Sequence, residues 1–170
     1  MTKMILLPMM LFNLVEGGAQ HAILRLKAEE NEVPKSVVGS FRGEFGTAVD
    51  ASWAIISSSS LEADFGIYEK DNREKSTYYD VSFTSSDGHK EVVYDHFGHS
   101  VGVKKSVTTA SLPAPVMKTV QRLKEHAEII SAEEVFELAS VPSRYLIVVR
   151  NEGTVQSIML RSSGELIKTN

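Results

Sequence analysis

The chain has 170 residues, of which 42% are hydrophobic and 24% are charged, an ordinary balance for a globular domain with its own core. Its formal net charge is −4 and its lysines and arginines are scattered, which argues against a nucleic-acid-binding protein. It has no cysteines, which excludes disulfide frameworks, cysteine–zinc sites and thiol catalysis.

The first 19 residues have the layout of a secretory signal peptide. Lys3 precedes an apolar run over 4–15, and the small residues Gly17 and Ala19 follow. The run is too short to span a bilayer comfortably. The alternative is an N-terminal helix buried in the core. We predict cleavage after Ala19, and therefore a periplasmic or secreted protein with no transmembrane segment after cleavage.

A polar lead-in over 20–32 comes before the first predicted helix. Pro34 suits the first turn of a helix, where its missing N–H is no loss. The apolar residues Val37 and Phe41 then recur on one helical face, and Gly46 is placed to end the helix.

Two segments of different composition follow this helix. Apolar and β-branched residues around Trp53 predict a strand. The serines and balanced charges of 57–76 predict a solvated loop, with at most one short strand near Phe65.

A β-rich region follows. Tyr79, Val81 and Phe83 alternate with polar residues, which predicts a strand with one buried and one solvated face. The Asp-Gly pair at 87–88 predicts a hairpin turn, and "DHFGH" at 95–99 predicts a second one.

A second helix and four further strands complete the predicted elements. Pro113 opens the helix, and Val116 and Val120 begin its apolar stripe. The strands are predicted within "EEVFELA", "RYLIVVR", "TVQSIML" and "ELIKT". Ser131 and Glu134 also fit a capping box, so the first of these segments could instead be a short helix.

The two halves of the chain are alike. The matching segments are "VPKSV" (33–37) with "LPAPV" (112–116), "YDVSF" (79–83) with "YLIVV" (145–149), and "VVYDHFGHSV" (92–101) with "IMLRSSGELI" (158–167). The predicted fold class is therefore α+β, built from two tandem repeats over 33–107 and 111–170. Each repeat is a helix followed by a roughly four-stranded antiparallel meander, with the helices on one face of the sheet.

The order of these motifs resembles that of the PepSY-like proteins of the β-lactamase-inhibitor-like fold. The residues that carry the resemblance are "VPKSV", "FRGEFGTAV", Trp53, "YDVSF" and "YDHFG", and it covers about residues 33 to 170. The chain departs from the pattern in its long loop after Trp53, and in lacking the matching tryptophan and aspartate in its second half. The resemblance implies an exported protein without catalytic residues, related to domains that bind or inhibit proteins, including peptidases.

The polar turn at 95–99 is the best candidate for a metal site. Asp95, His96 and His99, helped by His89, would be ligands for zinc or copper in a small metal-dependent hydrolase or a metal-binding protein. The matching turn of the second half contains no such ligand set, and a glycine with short polar residues is all that a turn requires. We therefore predict a plain hairpin, with no metal and no cofactor.

The remaining prediction is a non-catalytic binding module rather than an enzyme, because no nucleophile motif or paired carboxylates occur. Its binding residues are predicted to be Tyr78 and Asp80 on the solvated strand face, with Asp87 and His89 at the adjacent turn. The alternative is that Tyr78 packs against the segment 57–76. The predicted partner is a protein, such as a peptidase, and the predicted state of the chain is a monomer.

Overall fold

The computed structural model describes residues 25–67, 77–123, 126–136 and 143–169. Within these ranges nine antiparallel strands form one sheet, in which each strand lies beside the next one along the chain. The strands are β1 Arg25–Ala28, β2 Val49–Ser57, β3 Thr77–Ser85, β4 Gly88–Tyr94, β5 Ser100–Ser106, β6 Glu128–Phe136, β7 Arg144–Asn151, β8 Thr154–Arg161 and β9 Leu166–Thr169. The helices are α1 Lys35–Glu44, α2 Ser58–Phe65 and α3 Ala114–Leu123. The predicted α+β class is confirmed, and none of these helices is long and apolar enough to cross a membrane.

Helices α1 and α3 cover one face of the sheet, which we call face A. Val37 and Phe41 of α1 pack with Trp53 in one apolar cluster. Val116 of α3 packs with Ile147 in a second cluster, further along the same face. The phenyl ring of Phe41 meets the indole of Trp53 edge-on, with centroids 5.2 Å apart, an arrangement that favours aromatic pairs.

Helix α2 lies on the opposite face, which we call face B. Its residues Leu61 and Phe65 pack with Tyr78, Val93 and Val135. The two predicted helices, α1 and α3, share face A as expected, but the unpredicted α2 lies on the other face. The prediction that the described part of 57–76 is a loop is wrong.

Local signals explain why α2 is a helix. The hydroxyl of Ser57 accepts a hydrogen bond from the backbone N–H of Ser60, as an N-cap does. Leu61 and Phe65 are four residues apart and so share one side of the helix. Gly66 adopts the left-handed conformation with φ of 64°, which ends it.

Two other predictions about local structure need correction. The lead-in over 20–32 contributes β1, which pairs with β2, so the fold begins before residue 33. Ser131 and Glu134 both lie within strand β6, so the alternative of a short helix is wrong. The predicted signal peptide, 1–19, lies outside the described residues.

The two halves have corresponding irregularities. Four strands follow α1 and four follow α3. β2 and β6 each have a register shift near their first residues, and β4 and β8 each have one near their last. A bulge of this kind bends a strand and increases its twist, so the two sets of four strands share their bends as well as their order.

Candidate functional site

A group of charged side chains lies on face B; Asp80, Glu91 and Lys104 are buried, Asp64 and Glu133 are half-buried, and Arg25 on the edge strand is exposed. The Arg25 guanidinium is 2.5 Å from Asp80 Oδ2 and 3.4 Å from Asp64 Oδ2 of α2. It also donates a hydrogen bond to Glu91. Arg25 therefore links the edge strand β1, helix α2 and the strands β3 and β4.

Lys104 extends this network across β5. Its Nζ lies 2.5 Å from Glu91 Oε2 and 4.0 Å from Glu133 Oε2. The same ammonium group lies 4.5 Å from the ring centroid of Phe65, a cation–π contact with α2. We call Arg25, Asp64, Asp80, Glu91, Lys104 and Glu133 the buried charge network.

The two carboxyl groups at its centre titrate in opposite directions. Burial raises the pKa of Asp80 to about 8, helped by the charge of Glu91 and opposed by Arg25. Burial also acts to raise the pKa of Glu91, but the attraction of Lys104 and Arg25 outweighs it and lowers that pKa. Burial therefore favours the protonated form of Asp80, whereas the two cations favour the ionised form of Glu91.

Two of the four predicted binding residues are buried. Tyr78 is 3% exposed and Asp80 is 2% exposed, so the prediction that they lie on a solvated face is wrong. Instead, Tyr78 belongs to the apolar cluster that contains Leu61 and Phe65, which confirms the alternative packing. The covering element is α2, which was not predicted as a helix.

The other two predicted residues, Asp87 and His89, are exposed at the β3–β4 turn. The Asp87 carboxylate accepts hydrogen bonds from Lys90 Nζ at 2.8 Å, Ser85 Oγ at 2.7 Å and Lys105 Nζ at 3.0 Å. These bonds, that from Lys90 above all, lower the pKa of Asp87. The turn is thus held in one conformation with an imidazole beside it.

Part of face B remains uncovered beyond the end of α2. Directly paired residues share a face, so strand register brings together a group of polar side chains here. We call this group the open surface; its residues are Ser52, Ser82, Thr84, His89, Ser106 and Ser131, all exposed except the half-buried Ser82. The alternation of residues within each strand could have indicated which of them lie on face B. It could not have indicated where α2 ends and leaves them exposed.

The candidate metal ligands do not come together. His89 lies near the start of β4 and Asp95 directly follows its end, roughly 20 Å away at the usual rise per strand residue. Asp95 Oδ2 lies 3.0 Å from Nδ1 of His99, while the ring of His96 stacks on Phe97 with centroids 3.6 Å apart. Within the described ranges no three histidine or carboxylate side chains are grouped to hold a metal ion.

The turn between β4 and β5 is instead a closely packed backbone structure. Asp95 N donates to His99 O at 2.9 Å, and Gly98 N donates to Asp95 O at 3.1 Å. Gly98 has φ of 89°, and a Cβ added there would lie 2.7 Å from the carbonyl oxygen of Ser36, in the first turn of α1. Only glycine satisfies both the conformation and the close approach.

The turn between β8 and β9 has the same construction. Arg161 N donates to Glu165 O at 2.9 Å, and Gly164 N donates to Arg161 O at 2.8 Å. Gly164 has φ of 83°, and a Cβ there would lie 2.5 Å from the carbonyl oxygen of Pro115, in the first turn of α3. Each glycine therefore allows its turn to pack closely against the first turn of the preceding helix, on face A.

Solved structures share this fold. A Bacteroides eggerthii protein provisionally described as periplasmic superposes with a TM-score of 0.62 at 16% identity, over 81% of this chain and 88% of its own. A DUF2874 family protein from Bacteroides uniformis gives 0.60 at 17% identity over 81% and 88%, and a BLIP-like protein from Bacteroides fragilis gives 0.57 at 11% over 81% and 85%.

These likenesses show the fold alone, which is the BLIP-like fold that the sequence led us to expect. No family model matches the chain, and no curated protein does either. The PepSY part of the resemblance therefore remains a prediction.

Proposed function

We propose that this protein is a periplasmic, non-catalytic module that binds another protein through the open surface and the adjoining turn with Asp87 and His89. The observation that carries the proposal is the uneven covering of face B. Helix α2 contacts Arg25 and Lys104 of the buried charge network through Asp64 and Phe65. Beyond α2, the open surface is exposed apart from the half-buried Ser82. A broad polar sheet surface with a fixed turn at its border suits contact with a protein rather than enclosure of a small molecule.

The three buried ionisable groups on this face support a binding role over catalysis. Glu91 and Lys104 are buried and bonded to each other, and Asp80 is closed off from solvent. A general acid or base must reach a substrate proton within hydrogen-bond distance, which these positions do not allow.

The likeness in fold to a BLIP-like protein supports an inhibitor or modulator as the kind of module, with a peptidase as the proposed partner class. The location proposed from the N-terminal sequence agrees with the periplasmic description of the B. eggerthii protein. A protein exported to that compartment would meet envelope peptidases directly.

We also propose that the two sets of helix and four strands are tandem repeats of one ancestral unit. Supporting observations are the corresponding register shifts and the two glycines, Gly98 and Gly164, which each contact the second residue of the preceding helix. On this proposal the α2 segment is an insertion in the first unit, since the 19 residues 58–76 separate β2 from β3, whereas only the seven residues 137–143 separate β6 from β7.

Affinity capture tests the binding proposal. Immobilised mature chain is exposed to a periplasmic extract, and each bound protein is purified and titrated against wild type and against Thr84→Arg. We expect at least one saturable partner whose affinity falls about tenfold or more in the variant, because an arginine there obstructs the interface. Peptidase activity of that partner is then measured with and without the chain.

The matched control is Lys118→Glu, an equally exposed change on α3, on the opposite side of the sheet. It should leave the affinity unchanged. Equal binding by wild type and Thr84→Arg would contradict the proposed surface, and the recovery of no saturable partner would contradict the proposed function.

A further inference from the structure

We infer that helix α2 is a clasp that joins the two edges of the sheet and fixes the curvature of face B, which makes Lys168 of β9 a positioning residue for the open surface. This inference rests on the proposed binding function, and it adds a residue that acts on binding through the shape of the sheet. The strands involved are the outermost ones, β1 and β9, at opposite ends of the strand order.

Both edge strands reach neighbouring residues of α2. The Arg25 guanidinium of β1 is 3.4 Å from Asp64 Oδ2. The Lys168 ammonium of β9 donates hydrogen bonds to the carbonyl oxygens of Glu62, at 3.2 Å, and Ala63, at 2.8 Å. In a flat sheet of nine strands, eight spacings of about 4.8 Å would separate the edges by about 38 Å, far more than these two side chains span. The sheet is therefore curved around α2, with face B on the inside.

The C-terminal end of α2 is fitted closely against the second half of the sheet. Arg144 of β7 donates a hydrogen bond to the carbonyl oxygen of Gly66. A Cβ added at Gly66 would lie 2.6 Å from the sulfur of Met159 on β8. Burial lowers the pKa of the Lys168 ammonium, as expected for a cation enclosed between α2 and the sheet. Two cations thus bind the last carbonyl groups of α2, where they also interact favourably with the helix dipole.

The packing on the two faces differs in how it joins the halves of the chain. On face A each apolar cluster draws its buried side chains from one half, 28–103 or 112–160. On face B the cluster under α2 combines Tyr78 and Val93 of the first half with Val135 of the second. Helix α2 therefore packs the two halves together on face B, whereas α1 and α3 each stabilise one half on face A.

The shape of the open surface depends on this curvature. The open surface runs across five strands, from Ser52 on β2 to Ser131 on β6. A change in curvature therefore alters the distances between its side chains and their fit to a partner. A surface that is fixed before binding loses less conformational entropy when it binds. Removing the ammonium of Lys168 should therefore weaken binding, although β9 lies three strands beyond β6.

Pairs of spin labels measure the curvature on the full mature chain. The chain has no cysteines, so labels attach only where cysteines are introduced. Lys27→Cys on β1 is paired with Thr169→Cys on β9 or with Glu165→Cys in the β8–β9 turn, and all three positions are exposed. In Lys168→Met we expect both distances to lengthen by about 5 Å, one strand spacing, and the affinity for the captured partner to fall about tenfold. Lys168→Arg, which keeps the charge and the hydrogen-bond donors, should restore both.

The matched control is Arg150→Met, which removes a cation that pairs with Glu128 on the neighbouring strand rather than with α2. It should leave the distances and the affinity unchanged. Unchanged distances in Lys168→Met would overturn the clasp, as would a change at position 169 without one at 165, which would mean that β9 alone had detached. Longer distances with an unchanged affinity would overturn the role of Lys168 in binding. The recovery of no partner would contradict the proposed function, and the distances would still decide whether α2 is a clasp.

Discussion

The two hairpin turns that follow β4 and β8 share a backbone and differ in almost every side chain. Each places a glycine against a carbonyl oxygen in the first turn of the preceding helix. In the first turn the Asp95 carboxylate lies 3.0 Å from Nδ1 of His99, whereas in the second turn Arg161 forms an ion pair with Glu165. The side chains differ while the geometry is kept. Backbone packing therefore determines these turns, and their side chains are available for function.

Face B shows the same contrast on a larger scale. Beneath α2 the first half presents Asp80 and Glu91, whereas the corresponding strand positions of the second half are Leu146 and Ser157. One architecture thus carries a charged interior in one half and a more apolar one in the other. We expect mutations to separate the features that both halves need from those that only one half uses.

The largest effect is expected in the charged interior. Lys104→Met should lower the free energy of unfolding by about 4 kcal/mol, because it leaves the buried Glu91 with one cation instead of two. Urea denaturation measures this. The control is Arg150→Met, which breaks an exposed ion pair with Glu128 and should cost less than about 1 kcal/mol. A similar loss in the two variants would mean that the buried charge network is not structural.

The next prediction concerns the glycine that the two hairpin turns have in common. Gly98→Ala and Gly164→Ala should each cost about 3 kcal/mol, because the new Cβ meets a backbone carbonyl in a conformation that already disfavours alanine. Gly153→Ala, also at positive φ but with open space around it, should cost about 1 kcal/mol. Unequal losses at residues 98 and 164, or losses no larger than at 153, would break the correspondence between the halves.

The third expected effect is a change of the free energy of unfolding with pH. Because the pKa of Asp80 is raised to about 8 in the folded state, the folded protein holds this proton more tightly than the unfolded chain does. Its contribution to stability is complete below the pKa of the unfolded chain, about 4, and is lost as the pH rises from there through about 8. The free energy of unfolding, measured by urea denaturation, should therefore fall by about 2 kcal/mol between about pH 6 and pH 8 and change little above that range.

Asp80→Asn is the variant that isolates this group. Its stability should not decline between about pH 6 and pH 8, since the amide has no proton to lose there. The loss of stability at low pH should remain, because the pKa of Glu91 is lowered and its contribution is lost as the pH falls. A decline between about pH 6 and pH 8 that persists in Asp80→Asn would assign it to another group.

The smallest effect is expected at the exposed aromatic residue. Phe97→Ser, which copies the residue of the second turn, should change the free energy of unfolding by less than about 0.5 kcal/mol, because the side chain is mostly in water. Thermal unfolding measures this. A marked loss would show that Phe97 packs into the structure in solution.

The sequence predicted the elements whose signals are local. Alternating residues identified β3, the Asp-Gly pair identified its hairpin, and prolines marked the start of α1 and α3. The recurring segments indicated the two sets of helix and strands. The alternation also correctly separated the faces of β3, with Val81 and Tyr78 on opposite sides.

The features that the sequence did not predict depend on contacts between distant residues or on competing local signals. Four serines suggested a loop, although Ser57 is an N-cap and Leu61 and Phe65 form an apolar side. With α2 unrecognised, Tyr78 and Asp80 were expected in water. The partners of Asp80 lie on strands β1 and β4, and no short window of sequence indicates that Arg25 would reach it.

Amide hydrogen exchange on the mature chain, with and without its captured partner, tests most directly whether the open surface and the adjoining turn bind that partner. We expect slower exchange in the partner-bound state at the Ser86–His89 turn and in β2 and β6 around Ser52 and Ser131. Protection confined to α1 and α3 on face A, with these segments unchanged, would contradict it.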